Sequence, residues 1–148
     1  MEIEWLILAD YAQVVGNKLY LMGGGWDVLT VNSRFPVQWQ CAVAASFRVP
    51  WNETNQRHNV EIEIATDDGK TIAKGGGQVE VGRPPGRPPG QNQRAQFAVN
   101  MTLTLESQGT YAIIGRIEGQ EEERVPFNVV PGPILLAKAE GPAQQDAG

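Results

Sequence analysis

A chain of 148 residues, 41% of them hydrophobic, has the size of one domain and can bury a core without disulfides or metal. Its 17 acidic residues outweigh 12 basic ones, and a net charge of −5 argues against non-specific binding to nucleic acid, whose phosphates would be repelled. Cys41 is the only cysteine and His58 the only histidine, which excludes an internal disulfide and a Cys/His metal site.

The N-terminal MEIEWLILADYAQ has only Trp5 to Ala9 as an unbroken apolar run and no preceding positive charge, so it does not read as a signal peptide. No stretch approaches the roughly 18–20 apolar residues of a membrane span. The expectation is a cytoplasmic protein without membrane or nucleic-acid partners. Ile3, Trp5 and Ile7 alternate with Glu4 and Leu6 and predict a first strand ending near Asp10. Lys18 to Met22 and Trp26 to Val31 are two further strand pieces, the first entered through Gly16-Asn17, residues that tolerate the positive φ of a hairpin turn. Gly23 to Gly25 read as a bulge or a close backbone approach. They are not a dinucleotide loop, because neither the third glycine nor the helix follows. A second triplet, Gly75 to Gly77, could lie close to the first or make room for Trp26 or Trp5.

The longest pattern runs from Phe35 to Trp51. Phe35, Val37, Trp39, Cys41, Val43, Ala45, Phe47 and Val49 are apolar, with Gln38, Gln40, Ser46 and Arg48 between them. Side chains alternate across a strand, so this run lays one apolar face on a core, and Cys41 is a small buried hydrophobe on that face. A loop follows at 50–55. Val60, Ile62 and Ile64 then alternate with Glu61 and Glu63, Asp67 to Lys70 form a tight turn, and the chain returns through Ile72 toward Val79 and Val81. Residues 82–93 break the pattern with a doubled Arg-Pro-Pro-Gly unit. Phe97 to Leu105, Tyr111 to Ile114 and Val125 to Val129 supply the remaining strands, separated by turns at 107–109 and 119–120. Residues 131–148 are a Pro/Gly/Ala-rich tail whose end reads as disordered and whose Ile134 to Leu136 could dock on the body or pair with a neighbour's edge. About eight strands with regular turn signals predict an all-β, antiparallel two-sheet β-sandwich over residues 1–130, immunoglobulin-like in the broad sense, with a barrel as the alternative.

Four stretches carry a resemblance: LADYAQVVGNKLYLMGGGWD at 8–27, VPWNETNQRH at 49–58, EVGRPPGRPPGQNQRAQFAVN at 80–100 and GTYAIIGRIEGQ at 109–120. Together they resemble an uncharacterised bacterial family, a domain of unknown function common in actinobacteria, over the chain up to about residue 130. The resemblance implies a small cytoplasmic β-sandwich and brings no activity, cofactor or catalytic residue.

Parts for an enzyme are few. Ser46, His58 and Asp10 are the pieces of a paper Ser–His–Asp set, but Ser46 sits mid-strand without the sharp turn that exposes a nucleophile. Asp67-Asp68-Gly69 is too short for a calcium loop, and the turn reading is preferred. The expectation is a non-enzymatic protein without cofactor. If the strands run up and down, the loops at 50–56, 82–94 and 119–122 share one end, and tight turns occupy the other. That end gathers Trp51, Arg48, Arg57, His58, Arg83, Arg87 and Arg94, with four prolines stiffening the loop. Arginine forks can take carboxylates, so Trp51, Arg57, His58, Arg83, Arg87 and Arg94 are the candidate binding residues for a protein partner. A second copy of the chain is one such partner, offering its Glu61/Glu63 face or Glu121 to Glu123. The alternatives are a small-ligand or anion site at the same end, or a stiff connection in which arginine merely stacks on Trp51.

Overall fold

The computed structural model describes residues 1–133; Ile134 to Leu136 and the rest of the tail lie outside the described residues. Among the described residues, nine strands form two sheets that pack into a sandwich: β1 (Glu2–Val15), β2 (Lys18–Gly24), β3 (Val28–Val31), β4 (Val37–Val49), β5 (His58–Thr66), β6 (Thr71–Val79), β7 (Gln93–Leu105), β8 (Gly109–Ile117) and β9 (Gln120–Pro131). The first sheet has the order β2-β1-β4-β7 and the second β3-β9-β8-β5-β6. Every pairing is antiparallel except β3 with β9, which is parallel.

The alternation along β4 does what its period requires. Cys41, Val43, Ala45, Phe47 and Val49 are buried between the sheets. Cys41, Val43, Ala45 and Phe47 join Ile62 and Ile64 of β5, Leu103 and Leu105 of β7, Ile113 of β8 and Phe127 of β9 in one continuous core. Trp26 packs edge-on against Phe127, with ring centroids 6.2 Å apart, and Tyr111 stacks on the same ring at 5.6 Å.

β1 departs from the expected pattern in phase and length. A bulge between Ile3 and Trp5 shifts its register on β4. Ile3 sits opposite inward-facing Phe47, but beyond the bulge Trp5 is opposite outward-facing Ser46, and Leu6 and Leu8 are the residues that enter the core. An extra residue in one strand reverses which side chains point inward, so Ile3, Trp5 and Ile7 do not form one face. The bulge also leaves Glu4 outside, where it has partners described below. Beyond Ala9 the strand continues to Val15 instead of ending near Asp10.

This second half of β1 leaves β4 and, with β2, folds over the outer face of the sheet. Ala9 and Ala12 pack there against Ala42 and Ala44 of β4, joined by Leu19 and Ala98. Small side chains on both sides permit this second layer. Asn100 of β7 clamps it, donating its amide to the Ala12 carbonyl at 2.9 Å and accepting from the Ala12 N–H at 3.4 Å.

The two glycine triplets have separate roles. A Cβ on Gly75 would lie 2.8 Å from Val99, and one on Gly77 would lie 3.1 Å from the Phe97 ring. Edge strand β6 is thus pressed against edge strand β7, and the glycines make room for Phe97 and Val99, not for a tryptophan. Gly23 lies against Asp10 and has a φ of 60°.

Candidate functional site at the long-loop end

The ladders place the long loops together. Val49 is opposite Gln93, His58 is opposite Val79, and Ile117 pairs with both Val60 and Gln120. The segments at 50–57, 80–92 and 118–119 therefore leave from one end, although the strands are not arranged in chain order.

Trp51 opens a single 3-10 turn, Trp51–Glu53, after the extended Pro50. The Arg83 guanidinium lies 4.0 Å from the centre of its ring. Arg83 also donates from Nε to the Thr54 hydroxyl at 2.7 Å and from Nη2 to the Trp51 carbonyl at 3.0 Å. The Thr54 hydroxyl in turn donates to that same carbonyl at 2.7 Å. The Arg/Pro loop is fixed at its roots, where Gln93 donates to the Gly82 carbonyl at 2.6 Å and Asn55 N–H to the Val81 carbonyl at 2.7 Å.

The remaining candidate residues separate into distinct environments. His58 is buried, and its Nε2 lies 2.8 Å from the Glu53 carbonyl. A carbonyl only accepts, so the contact fixes the proton on Nε2. Arg57 is exposed and paired with Glu80 at 3.3 Å. Arg94 grips Glu4 through Nε at 2.8 Å and Nη2 at 3.2 Å, and Arg48 holds the same carboxylate at 3.0 Å. Ser46 donates to it as well, at 2.8 Å. These donors favour the charged form, Arg94 most and Ser46 next, and hold the Glu4 carboxyl at about 2. The Arg87 side chain is exposed and has no ion-pair or hydrogen-bond partner among the described residues, while its backbone N–H donates to the Pro84 carbonyl at 3.4 Å. The basic cluster is mostly neutralised within the chain, and Arg83 and Arg87 are its two members without a carboxylate.

A groove of about 830 Å³ runs beside these two arginines. Its walls are the end of β6, the Arg/Pro loop with Arg83 and Arg87, the start of β7 with Arg94 and Phe97, and the tip of the β1–β2 hairpin with Val14 and Asn17. The hairpin wall and Glu4 have only faint sequence signals. Glu4 interrupts an apolar run, and Ala42 and Ala44 are small residues on what should be a polar face.

The other end carries a depression of about 660 Å³ between the turns at 66–70 and 106–110. Lys70 there pairs with Glu106 at 3.6 Å, and Asp68 accepts from the Thr66 hydroxyl. Ser46, His58 and Asp10 do not converge: Ser46 serves Glu4, His58 serves Glu53, and Asp10 lies beside Gly23. Among the described residues no group of three His, Cys, Asp or Glu could hold a metal ion, and no helix is long and apolar enough to cross a membrane. Burial pushes the Cys41 thiol up to about 11, assisted by the charge of Asp10, so it stays protonated.

No curated protein matches the sequence. Among solved structures, the CARDB domain of a Pyrococcus furiosus protein, crystallised in complex with di-metal ions, is similar at 14% identity and a TM-score of 0.38, covering 89% of this chain and 93% of that one. The model of a family of unknown function, DUF6941, matches residues 4–130, and the chain belongs to that family.

Proposed function

We propose that the protein is a non-catalytic interaction module whose long-loop end receives an extended, carboxylate-bearing segment of a partner protein. The observation that carries this reading is the pair Arg83 and Arg87, which line the groove without a carboxylate while Arg48, Arg57 and Arg94 at the same end are ion-paired. The Glu61/Glu63 face and Glu121 are poor candidates for the acidic side of such a contact. Arg116 already holds Glu61 at 2.9 Å and Glu63 at 2.7 Å, and Arg124 holds Glu121 at 2.7 Å. Of the acidic residues on these two faces only Glu122 and Glu123 have no ion pair among the described residues, and this reading places the acidic group on a different protein. Lining residues drawn from four segments of the chain suit a peptide better than a compact anion, with Phe97 and Val14 offering apolar contact beside the guanidinium groups.

Titration with a glutamate-rich peptide, followed by intrinsic tryptophan fluorescence, tests the proposal. Binding should weaken as salt rises, because exposed charge pairs are screened over about 10 Å at 0.1 M ionic strength. Arg87→Glu should abolish it. Peptide binding that ignores Arg87→Glu would remove the groove from consideration. Inorganic phosphate competing as well as the peptide would favour the small-anion alternative.

A further inference from the structure

We infer that β2 is a self-recognition edge, through which two copies of the chain pair their β2 strands antiparallel about a two-fold axis at Tyr20. This rests on the hairpin, not on the arginine groove, and either proposal can fail without the other.

The phase of the hairpin decides which backbone groups are open. Gly16 and Asn17 have φ values of 58° and 62° and form a two-residue turn flanked by Val15 opposite Lys18. In such a turn the flanking residues exchange both hydrogen bonds, and bonded and non-bonded pairs then alternate. Gln13–Tyr20 and Tyr11–Met22 are therefore bonded pairs, while Val14–Leu19 and Ala12–Leu21 are not. Asn100 supports this phase independently, since it takes both backbone groups of Ala12 on the side away from β2. It follows that Leu19 and Leu21 direct their N–H and C=O groups to the free edge. No described residue outside the strand ladders bonds them.

The other edges are closed or short. β6 and β7 lie against each other through Gly75 and Gly77, and β3 has four residues. β2 lacks the devices that blunt an exposed edge: no proline, one lysine at its start, and no irregularity before Gly23. Its outward face is apolar, with Tyr20 55% and Met22 67% exposed beside Tyr11 at 46%.

A second copy is the occupant that charge selects. The protein carries a net charge of −5, so most approaches between copies are repulsive. From Tyr11 to Trp26, however, the only charged side chain is Lys18. With Leu19 opposite Leu21 of the second copy, the open groups of both strands are satisfied reciprocally. Tyr20 then faces Tyr20, and Lys18 faces Met22. No like charges meet, and the register is its own complement, as a two-fold interface requires. The area is that of a strand edge and its face, below the about 1,000 Å² of a stable interface, so the dimer is weak.

Sedimentation of the full chain from about 5 to 500 µM, the range in which a weak interface assembles, should show the mass rising from 16.1 kDa toward twice that value. Tyr20→Lys, which sets like charges across the axis, should raise the dissociation constant about fivefold or more. Cysteine scanning adds a test of register, since native Cys41 is buried. Tyr20→Cys should form an intermolecular disulfide under mild oxidation, because non-bonded antiparallel neighbours have Cα atoms about 4.5 Å apart. Gln13→Cys, equally placed on the hairpin but one strand further from the axis, should not. A monomer at every concentration, a dimer indifferent to Tyr20→Lys, or cross-linking of both or neither cysteine variant would overturn the assignment.

Discussion

The long-loop end and the β1–β2 hairpin form opposite kinds of surface on one small sandwich. The loop end is dense in charge, yet most of it is already spent within the chain: Glu4 holds Arg48 and Arg94, Glu80 holds Arg57, and Trp51 with Thr54 holds Arg83. The hairpin has almost no charge and looks plain in sequence, yet it keeps open backbone groups and five exposed large hydrophobic side chains, Tyr11, Val15, Tyr20, Leu21 and Met22. A concentration of arginine and aromatic residues therefore shows where side chains can interact, but a structure is needed to tell whether they already do.

The comparison can be broken most strongly from the hairpin side. Ala44→Leu inserts bulk between the sheet and its second layer, where Ala9, Ala12 and Ala42 leave no space. The expected loss is about 1–3 kcal/mol in urea unfolding, the usual cost of overpacking. A neutral result would mean that the hairpin does not rest on β4. On the loop side, Glu4→Gln tests whether the charges are internally spent. The Glu4 carboxyl is held at about 2 against an ordinary 4.5, so its contribution is complete above pH 4.5 and disappears as pH falls toward 2. The variant should be less stable at pH 7 by about 1–2 kcal/mol, reduced by the solvent exposure of Arg48 and Arg94, and should match the native chain near pH 2. A gap that stays constant across that range would rule out the ion cluster as its cause.

Much of this architecture was legible because a strand buried on one face writes its own period. β4, β5 and β7 read directly from Phe35–Val49, Val60–Ile64 and Phe97–Leu105, and the shared loop end followed from the turns. β1 did not read correctly, since one bulge residue at Glu4 inverts every later position, and periodicity cannot distinguish an inverted strand from a regular one. The hairpin layer was hidden for a related reason. Ala42 and Ala44 have no polarity to mark them as exposed and little size to mark them as core, and their meaning depends on Ala12 arriving from elsewhere in the chain. The turns also place the loops carrying the candidate residues at one end, where the strand ladders put them. Their pairing was not legible, because Glu4 is 90 residues from Arg94 and no local signal joins them.

The smallest stability effects separate the two unpartnered arginines and provide the sharpest test of the groove. Arg83→Ala removes a guanidinium stacked on Trp51 and bonded to Thr54, so it should cost about 0.5–1 kcal/mol. Any loss of peptide binding in that variant would mix a damaged loop with a missing ligand contact. Arg87→Ala removes a side chain that touches no ion-pair partner among the described residues, and its unfolding free energy should stay within about 0.5 kcal/mol of the native value. If Arg87 nevertheless governs binding of the glutamate-rich peptide, its contribution belongs to the complex and not to the fold. If Arg87→Ala instead destabilises the chain by as much as Arg83→Ala, Arg87 has an intramolecular partner. The groove would then have no open cation of its own, and the loop end would be charge-satisfied throughout.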